Sequence, residues 1–325
     1  MPDSTHVLVT GARGFVGSQL VKRLRAEPGF TVAGSVRDMW SDAPTGVRQY
    51  AVGDICAQTN WCSALADIDV VVHTAARAHL TNETGVIALS EYRRVNVEGT
   101  RSLARQAADR GVRRFVFISS IGVNGNITAE PFQSTDEPNP VDAYAISKYE
   151  AEQQLQEIAI QTGLEVVVVR PPLVYGPNAP GNFAKLLCWI QRSVPLPLGA
   201  INNKRSFVGL DNLVDLIVTC LDHPAAANQV FLAGDGEDLS TTELLERIGR
   251  AMGKPTRLLP VPVWALQVGA TLLGKRDVAR RLLGSLQVDI SNTRDLLGWE
   301  PPVSVDEGLR RAVAPFGEGG SPPGR

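Results

Sequence analysis

An alternation of short β-branched runs with longer helical patterns fills the first half of the chain and constrains its fold more than any other feature. Buried strands are predicted at residues 7–10, 31–36, 70–73, 115–119 and 166–170, and helices at 15–26, 95–108 and 143–162. Strands separated by helices join through right-handed crossovers into a parallel sheet that is covered on both faces. The pattern therefore predicts an α/β fold with a doubly wound parallel sheet of the Rossmann type.

The pattern changes after residue 170, where closely spaced prolines and glycines interrupt the alternation. A smaller mixed α/β substrate-binding domain is expected to begin there. A helical pattern at 211–221 and a strand-like run at 229–233 can return the chain to the first domain. The predicted division is a Rossmann domain of residues 1–175 with 207–236, a substrate-binding domain of 176–206 with 237–316, and a disordered Gly/Pro-rich tail at 317–325.

Composition excludes several classes of partner. The 325 residues are 44% hydrophobic, which supplies a large core, and the net charge of -2 offers no general basic field for nucleic acid. The four cysteines are widely spaced, unlike those of a zinc site or a secreted disulfide framework, so we expect reduced thiols and no metal. No basic segment followed by a long apolar stretch precedes the first strand, which predicts a cytoplasmic protein.

An apolar segment at residues 261–274, followed by Lys275, Arg276, Arg280 and Arg281, permits two interpretations. It can be an amphipathic element that rests on a membrane surface. It is too short to span a bilayer, so no stable membrane insertion is expected. An ordinary helix that packs its apolar face inward is the favoured interpretation, because buried helices commonly show this pattern.

The first predicted strand runs directly into a glycine-rich turn, GARGFVG at residues 11–17, and then into a helix. In that context Gly11 permits a tight turn, Gly14 lets the backbone approach a pyrophosphate, and Gly17 lets helix and strand pack closely. The phosphates would lie at the N-terminus of the helix. A simple glycine-rich turn is the alternative, but the strand before it and the helix after it favour dinucleotide binding.

The choice of dinucleotide depends on the end of the second strand, which reads Ser35-Val36-Arg37-Asp38. A carboxylate about twenty residues beyond the glycines binds the adenosine ribose of NAD, whereas an arginine accommodates the 2′-phosphate of NADP. Asp38 can take the first role and Arg37 the second. NADP is slightly favoured over NAD on this ground, and a solvated Arg37 paired with its neighbour is the alternative.

A tyrosine and a lysine lie four residues apart at Tyr144 and Lys148, which places both on one face of the predicted helix. A nearby ammonium favours the phenolate and moves the tyrosine pKa towards neutrality, as a general acid/base requires. Such a pair also arises by chance on amphipathic helices. The upstream strand ends in Ser119-Ser120, and because ligands bind at the carboxyl ends of parallel strands, Ser120 can hydrogen-bond a reacting oxygen.

The ordered motifs resemble those of the extended short-chain dehydrogenase/reductase superfamily. They are TGxxGxxG from Thr10, HTAA from His73, Asn96, Ser119-Ser120, Tyr144-x-x-x-Lys148 and Arg170-Pro171. In closer detail the chain is similar to bacterial sugar-nucleotide 4-epimerases and 4-ketoreductases of polysaccharide and O-antigen assembly.

The resemblance implies roles for these positions. Tyr144 would be the general acid/base, Lys148 would hold the cofactor ribose, and Ser120 would orient the substrate oxygen. Cofactor contacts are expected at Gly11, Arg13, Gly14, Phe15, Val16, Gly17, Arg37, Asp54, Ile55, Thr74, Ala75, Ala76, Asn96, Ser119, Tyr144, Lys148, Pro171 and Val174. For His73, a core position and a direct contact are equally compatible with the sequence.

A second domain that binds a nucleotide diphosphate is also implied, so a UDP-sugar substrate is expected. Arg205 is the first candidate for the pyrophosphate, because a guanidinium offers planar paired donors and keeps its charge. The other expected substrate contacts are Ser120, Asn124, Tyr144, Asn182 and Asp289. Asn182 and Asp289 can equally be loop caps, and Asn124 stands where these epimerases usually have tyrosine.

The reaction type is narrowed by Ile121 and Gly122, which stand where dehydratases of this superfamily carry an acid pair. Neither residue can transfer a proton, so dehydration is disfavoured. Arg37 favours a 4-ketoreductase that makes a UDP-linked N-acetylated deoxyhexosamine, and a UDP-glucose or UDP-N-acetylglucosamine 4-epimerase with retained NAD is the alternative. A non-catalytic dinucleotide-binding regulator is a third hypothesis. The superfamily also implies a homodimer built from the helices at 95–108 and 143–162.

Overall fold

Residues 4–41, 44–78, 86–274 and 276–317 are described by a computed structural model of the protein. In these ranges the strands are β1 (Thr5–Thr10), β2 (Phe30–Val36), β3 (Arg48–Ala51), β4 (Val70–His73), β5 (Arg114–Ile118), β6 (Glu165–Arg170), β7 (Leu173–Tyr175), β8 (Arg205–Gly209), β9 (Val230–Leu232) and β10 (Asp238–Leu239). The α-helices are α1 (Phe15–Ala26), α2 (Val86–Tyr92), α3 (Thr100–Asp109), α4 (Ala143–Thr162), α5 (Asn182–Gln191), α6 (Leu210–Asp222), α7 (Thr241–Ala251), α8 (Val263–Leu272), α9 (Arg276–Leu283), α10 (Ser291–Leu297) and α11 (Val305–Gly317). A π-helical segment, Arg93–Gly99, joins α2 to α3, and short 3₁₀ helices cover Ile121–Val123 and Pro224–Ala226.

The main sheet has seven parallel strands in the order β3-β2-β1-β4-β5-β6-β9. β1 lies at its middle, with Thr10 opposite Ser35 of β2 on one side and His73 of β4 on the other. The direction of strand order changes between β1 and β4, and ligands of doubly wound sheets bind in the crevice at such a point. The predicted doubly wound fold is confirmed, and β1 carries the glycine turn to this crevice.

Two hydrophobic cores cover the main sheet, one on each face. α1 and α6 pack on one face through side chains that include Leu20, Leu24 and Leu213. α3 and α4 pack on the other through side chains that include Leu103 and Leu155. Each fully buried leucine is worth about 1.5–3 kcal/mol relative to an exposed one. The helices that border the crevice are therefore held firmly by the sheet.

A smaller mixed sheet in the order β10-β8-β7 accompanies the second half of the chain. Helices α5, α7 and α11 pack around it in a third core, and Phe15 at the start of α1 contacts both this core and the first. Residues 173–175 pair with β8 here, although they fall within the predicted Rossmann segment. Pro171-Pro172 explains the change of sheet, because prolines lack the N–H groups that would continue β6. The exact domain boundary stays a prediction.

Two parts of the carboxyl-terminal half depart from the expectation. The helix expected to pack its apolar face inward is α8, yet none of its ten residues is buried. α11 extends to Gly317, where the disordered tail was predicted to begin, and residues 318–325 lie outside the described ranges. Among the described residues, no helix combines the length and apolarity needed to cross a membrane.

Candidate active site

The glycine turn between β1 and α1 leaves almost no room for side chains. Gly11 has a φ of +65°, and a Cβ there would lie 3.0 Å from the Ala75 backbone. A Cβ at Gly17 would overlap the Gly11 carbonyl oxygen. Gly14 is the N-cap of α1, and no side chain caps that helix, so the amides of its first turn can bind an anion. The turn fits the pyrophosphate of a dinucleotide.

A groove of about 680 Å³ lies beside this turn. Its lining includes the predicted cofactor residues Gly11, Gly14, Arg37, Asp54, Ile55, Thr74, Ala75 and Ala76. Arg77, Arg94 and Val95 line it too, although none of them was predicted to contact the cofactor. The Ser35 hydroxyl in the same lining is buried and, within the described residues, has no hydrogen-bond partner. A buried hydroxyl without a partner calls for an explanation, and the adenosine half of a dinucleotide would supply the missing group.

Three further residues predicted to contact the cofactor direct their side chains to protein groups. The Arg13 guanidinium lies over the Trp40 ring, 5.9 Å from its centroid. Phe15 packs between the first and third cores, and Val16 packs on the first. Any cofactor contact from this part of the turn would therefore come from backbone amides at the start of α1.

Arg37 and Asp54 pair across the rim of the groove. Arg37 Nε lies 2.8 Å from Asp54 Oδ1, and the two side chains are 74% and 65% exposed. The arginine that was predicted to select NADP is thus paired with Asp54, which was itself predicted to contact the cofactor. Arg37 does have an acidic partner, as the alternative held, but the partner is Asp54 rather than its neighbour Asp38.

Asn96 hydrogen-bonds both to the chain that follows β4 and to helix α4. Its Oδ1 accepts a hydrogen bond from the Arg77 amide at 2.9 Å, and its Nδ2 donates to the Arg77 carbonyl at 3.1 Å and to Ser147 Oγ at 3.0 Å. Asn96 is 1% exposed, so its side chain lies behind the groove wall rather than in it. It belongs to the π-helical segment, and π-helical turns occur frequently at functional sites.

Tyr144 lies in the first turn of α4. Asp142 caps that helix by accepting a hydrogen bond from the Ala145 amide at 2.9 Å. The Tyr144 ring meets Tyr92 edge-on, with ring centroids 5.8 Å apart. Burial, followed by the nearby Asp142 and Tyr92, raises the pKa of Tyr144 to about 12. These protein groups act against the predicted shift towards neutrality, so the phenol is protonated in the chain itself.

Lys148 is buried one helical turn later and reaches the end of β5. Its Nζ donates to the Ile118 carbonyl at 2.8 Å and lies 4.4 Å from the centroid of the Phe117 ring. Burial lowers the pKa of Lys148 to about 7, against the opposing effect of the Glu152 carboxylate. The contact holds the Tyr144–Lys148 face of α4 against the strand that leads into Ser120.

His73 is a core residue, which decides between the two possibilities left by the sequence. Its Nδ1 lies 2.7 Å from Thr10 Oγ1 and its Nε2 lies 2.9 Å from Thr100 Oγ1. Burial, with a smaller contribution from the charge of Lys148, lowers the pKa of His73 to about 3. The neutral ring thus ties β1 and β4 to α3. The neighbouring Thr74 Oγ1 donates to the Thr10 carbonyl at 2.6 Å, which fixes the groove wall.

A buried polar network lies beneath α4. Glu152 accepts hydrogen bonds from Ser119 Oγ at 2.5 Å and from Arg170 at 3.0 and 2.5 Å. Arg170 also donates to Asn124 Oδ1 at 2.9 Å, and Asn124 Nδ2 donates to the Gln133 carbonyl at 3.0 Å. Ser119 and Asn124 were predicted to contact cofactor and substrate. Both side chains instead make their hydrogen bonds within this network, so we do not include them among the proposed ligand contacts.

Ser120 remains partly exposed at the end of β5. Its Oγ accepts a hydrogen bond from the Gly122 amide at 3.1 Å, which leaves its O–H available as a donor. The Pro171 carbonyl accepts from the Ile121 amide at 3.0 Å, so the turn after β6 is fixed beside Ser120. Val174 follows in the small sheet and packs partly against the first core.

The three predicted substrate residues of the second domain lie on different elements: Arg205 begins β8, Asn182 begins α5, and Asp289 precedes α10. Arg205 Nη1 donates to the Arg281 and Gly284 carbonyls at 2.6 and 3.1 Å, and burial lowers the Arg205 pKa. Asp289 accepts from the Ser291 amide at 2.8 Å, which is a loop cap at the start of α10. Asn182 is the exposed first residue of α5. The Arg205 guanidinium is partly buried, and the two carbonyls fix its orientation.

No group of histidine, cysteine, aspartate or glutamate side chains among the described residues could hold a metal ion. The polar groups that sequence reasoning missed are Glu152, Tyr92 and the groove residues Arg77 and Arg94. A usable signal existed for Glu152, because positions 144, 148 and 152 repeat at intervals of four and lie on one helix face.

Comparison with known proteins agrees with this geometry. The model of the "NAD dependent epimerase/dehydratase family" matches residues 7–234. A "UDP-glucose 4-epimerase" of Vibrio cholerae is 48% identical over 319 residues, 97% of this chain and 96% of that protein. An Escherichia coli O157:H7 protein named "N-acetyl-alpha-D-glucosaminyl-diphospho-ditrans,octacis-undecaprenol 4-epimerase" is 27% identical, over 95% of this chain and 94% of its own.

Among solved structures, a UDP-glucose 4-epimerase of Thermotoga maritima with UDP-glucose superposes with a TM-score of 0.78 at 24% identity, covering 97% of this chain and 99% of that one. That likeness establishes the fold. The sequence matches identify an enzyme of the short-chain dehydrogenase type, so the regulator hypothesis has no support. The chain belongs to the NAD-dependent epimerase/dehydratase family.

Proposed function

We propose that the protein is a UDP-sugar 4-epimerase that keeps NAD bound between turnovers. The 48% identity to a UDP-glucose 4-epimerase over nearly the whole chain supports this more than the ketoreductase favoured by the sequence. The structural observation that carries the proposal is the contact of Lys148 Nζ with the Ile118 carbonyl, which holds the Tyr144–Lys148 pair at the carboxyl end of β5. The same edge of the sheet carries the glycine turn.

The glycine turn, the Ser35 hydroxyl and the groove wall at residues 74–76 would hold NAD. When bound there, NAD would supply reversible hydride transfer at C4 of the sugar. The residues of this chain manage the accompanying proton. Tyr144 would take the proton of the C4 hydroxyl as the sugar is oxidised and give it back to the C4 oxygen on reduction.

Tyr144 and Lys148 have complementary tasks in that exchange. With a pKa of about 12 the Tyr144 phenol is protonated near neutrality, so the ionisation that would let it take the C4 proton needs a positive charge nearby. Protonated Lys148, on the same face of α4, supplies that charge, and a lysine pKa of about 7 lets the charge be present near neutrality. Ser120 would donate its hydroxyl hydrogen to the C4 oxygen and keep it in reach of the phenol.

Arg205 would bind the diphosphate of the substrate, because two backbone carbonyls orient its guanidinium and a guanidinium has further donors to offer. A sugar diphosphate is also the part that a UDP-sugar shares with the polyprenol-linked substrate named for the Escherichia coli relative. The substrate screen should therefore include both.

The 4-ketoreductase is the second candidate, and it depended on Arg37 selecting NADP. The pairing of Arg37 with Asp54 removes that support. The superfamily's homodimer, built from the helices at 95–108 and 143–162, is retained as part of the proposal. Gel filtration with light scattering measures it directly.

The first test is to denature freshly purified protein and identify any released dinucleotide by mass spectrometry. The second is to assay, without added cofactor, the interconversion of UDP-GlcNAc with UDP-GalNAc, of UDP-glucose with UDP-galactose, and of the polyprenol-diphosphate-linked N-acetylglucosamine with its 4-epimer. We expect stoichiometric NAD and interconversion of at least one pair. Tyr144→Phe should lower turnover by about a hundredfold or more while retaining NAD. An empty protein that consumes NADPH with a 4-keto sugar would establish the ketoreductase instead.

A further inference from the structure

Helix α8 presents a stripe of large apolar side chains to solvent. Trp264, Val268 and Leu272 follow one another at intervals of four residues and are 69%, 54% and 82% exposed. Leu273, the residue that ends the helix, is 74% exposed as well. Residues four apart lie on the same face of a helix, so this is one continuous surface. Single exposed apolar residues are ordinary, whereas a contiguous group of this size indicates a contact surface.

The stripe is not the face by which α8 packs on the protein. Leu266 contacts the third core, together with Leu282 and Leu283 of α9. α8 is therefore apolar on two sides, one of which the protein covers. A helix of ten residues rises about 15 Å, half of what a bilayer core requires, so α8 cannot span a membrane.

Cationic side chains lie on the neighbouring helix, α9. Arg276, Arg280 and Arg281 of α9 are all exposed, and α8 and α9 pack against each other as a hairpin. The chain as a whole has a net charge of -2. An anionic surface would thus be attracted to this hairpin in particular and not to the protein in general. A tryptophan, branched apolar side chains and flanking arginines are the combination found in helices that lie in the lipid interface.

We propose that the α8–α9 hairpin docks on an anionic lipid bilayer, with the Trp264–Val268–Leu272 stripe in the interface and the arginines of α9 against the headgroups. The proposal does not depend on the epimerase activity. The sequence analysis favoured an inward-packing helix over this membrane interpretation. The exposure of the apolar side chains of α8 now supports the membrane interpretation.

The hairpin is also connected to the candidate active site. The carbonyls of Arg281 and Gly284, at the end of α9, hold the Arg205 guanidinium. The Arg281 guanidinium lies 3.2 Å from Asp142, the N-cap of catalytic helix α4. A bilayer in contact with α9 would therefore lie close to the carbonyls that orient Arg205.

Vesicle co-sedimentation tests the proposal on the full-length protein. The vesicles are phosphatidylcholine alone and phosphatidylcholine with roughly 30% phosphatidylglycerol. We expect the wild type to pellet with the anionic vesicles. The double variant Trp264→Ser/Leu272→Ser should lower the bound fraction about fivefold or more, and Arg280→Glu should weaken binding to the anionic vesicles alone. Met39→Ser is the matched control, since Met39 is an apolar side chain 63% exposed outside the hairpin and outside the helices proposed for the dimer, and it should bind as the wild type does.

Two further measurements keep the outcomes separate. Turnover of a soluble UDP-sugar should be unchanged in every variant, because none of these positions belongs to the proposed catalytic or binding groups. Sedimentation velocity reports whether the stripe joins copies of the chain. The proposal is overturned if the wild type ignores both vesicles, if the double variant binds as well as the wild type, or if the double variant alters the oligomer while no protein binds lipid.

Discussion

Two carboxylate–guanidinium pairs border the candidate site. They have the same chemistry but differ in their exposure to solvent. Glu152 of α4 and Arg170 at the end of β6 have side chains 7% and 5% exposed. Arg37 and Asp54 lie on the rim of the groove with side chains 74% and 65% exposed. A buried charge that loses its partner is costly, whereas an exposed pair is screened by water and salt. We infer that the buried pair fixes the geometry of the site and that the exposed pair is free to adjust cofactor preference.

The largest effect is expected from breaking the buried pair. Glu152→Ala removes the acceptor of Ser119 Oγ and of two Arg170 donors, and leaves the guanidinium buried without its carboxylate. We expect a loss of about 3–5 kcal/mol in the free energy of unfolding. Urea denaturation measures it. Asp54→Ala is the matched control at the exposed pair. Equal losses in the two variants would contradict the comparison.

A smaller loss is expected at the edge of the same network. Ser119→Ala removes one hydrogen bond to a charged carboxylate, which is worth about 1.5–3 kcal/mol. The resemblance assigned Ser119 to the cofactor, so this variant separates the two interpretations. Lower stability with unchanged NAD content would favour the network role. A protein of normal stability that purifies without NAD would restore the role as a cofactor contact.

The segments that the sequence predicted well are those whose function depends on neighbours along the chain. Gly11, Gly14 and Gly17 belong to one turn, and Tyr144 and Lys148 to one helix, so periodicity and residue type were sufficient. The same local pattern supported the buried strands of the main sheet, whereas β3, at the edge of that sheet, is only four residues long and gave no clear signal.

What the sequence could not give depends on partners brought together by the fold. Glu152 meets Arg170 and Ser119 from two different strands, and on a helix rich in polar residues it resembles a solvated charge. Arg37 and the adjacent Asp38 gave a divided signal, and local sequence could not resolve it because Asp54, the actual partner of Arg37, follows another strand. α8 was expected to pack inward, but a short helix that is apolar all round does not reveal which side the protein will cover.

A third effect concerns pH and sharpens the contrast between buried and exposed groups. The pKa of His73 falls to about 3 in the folded protein, from an ordinary value of 6.5. Between these values the unfolded chain binds the proton and the folded chain does not, so stability present above pH 6.5 is lost as the pH falls towards 3.

The loss attributable to His73 between pH 7.5 and 5.5 should be about 1 kcal/mol. Urea denaturation of the wild type and His73→Gln at both pH values isolates it as the difference between their pH dependences. His6→Gln replaces a partly buried histidine of the same sheet, whose Nδ1 lies 2.6 Å from the Asp67 carbonyl oxygen, and it is the control for the substitution itself. Parallel curves for the wild type and His73→Gln would show that His73 is not the group responsible.

The smallest change in stability is expected at the exposed pair, where the interest lies in the cofactor. Asp54→Asn removes the charge that faces Arg37 but keeps the size of the side chain, and exposed pairs contribute about 0.2–1 kcal/mol. The released guanidinium could then engage a 2′-phosphate, so the ratio of NADP to NAD affinity should rise several-fold in stripped protein, measured by fluorescence titration. Arg37→Gln in the same background should reverse the gain. If Asp54→Asn unfolds the protein as severely as Glu152→Ala, or if the wild type already prefers NADP, then the rim pair does not have the adjustable role that its exposure implies.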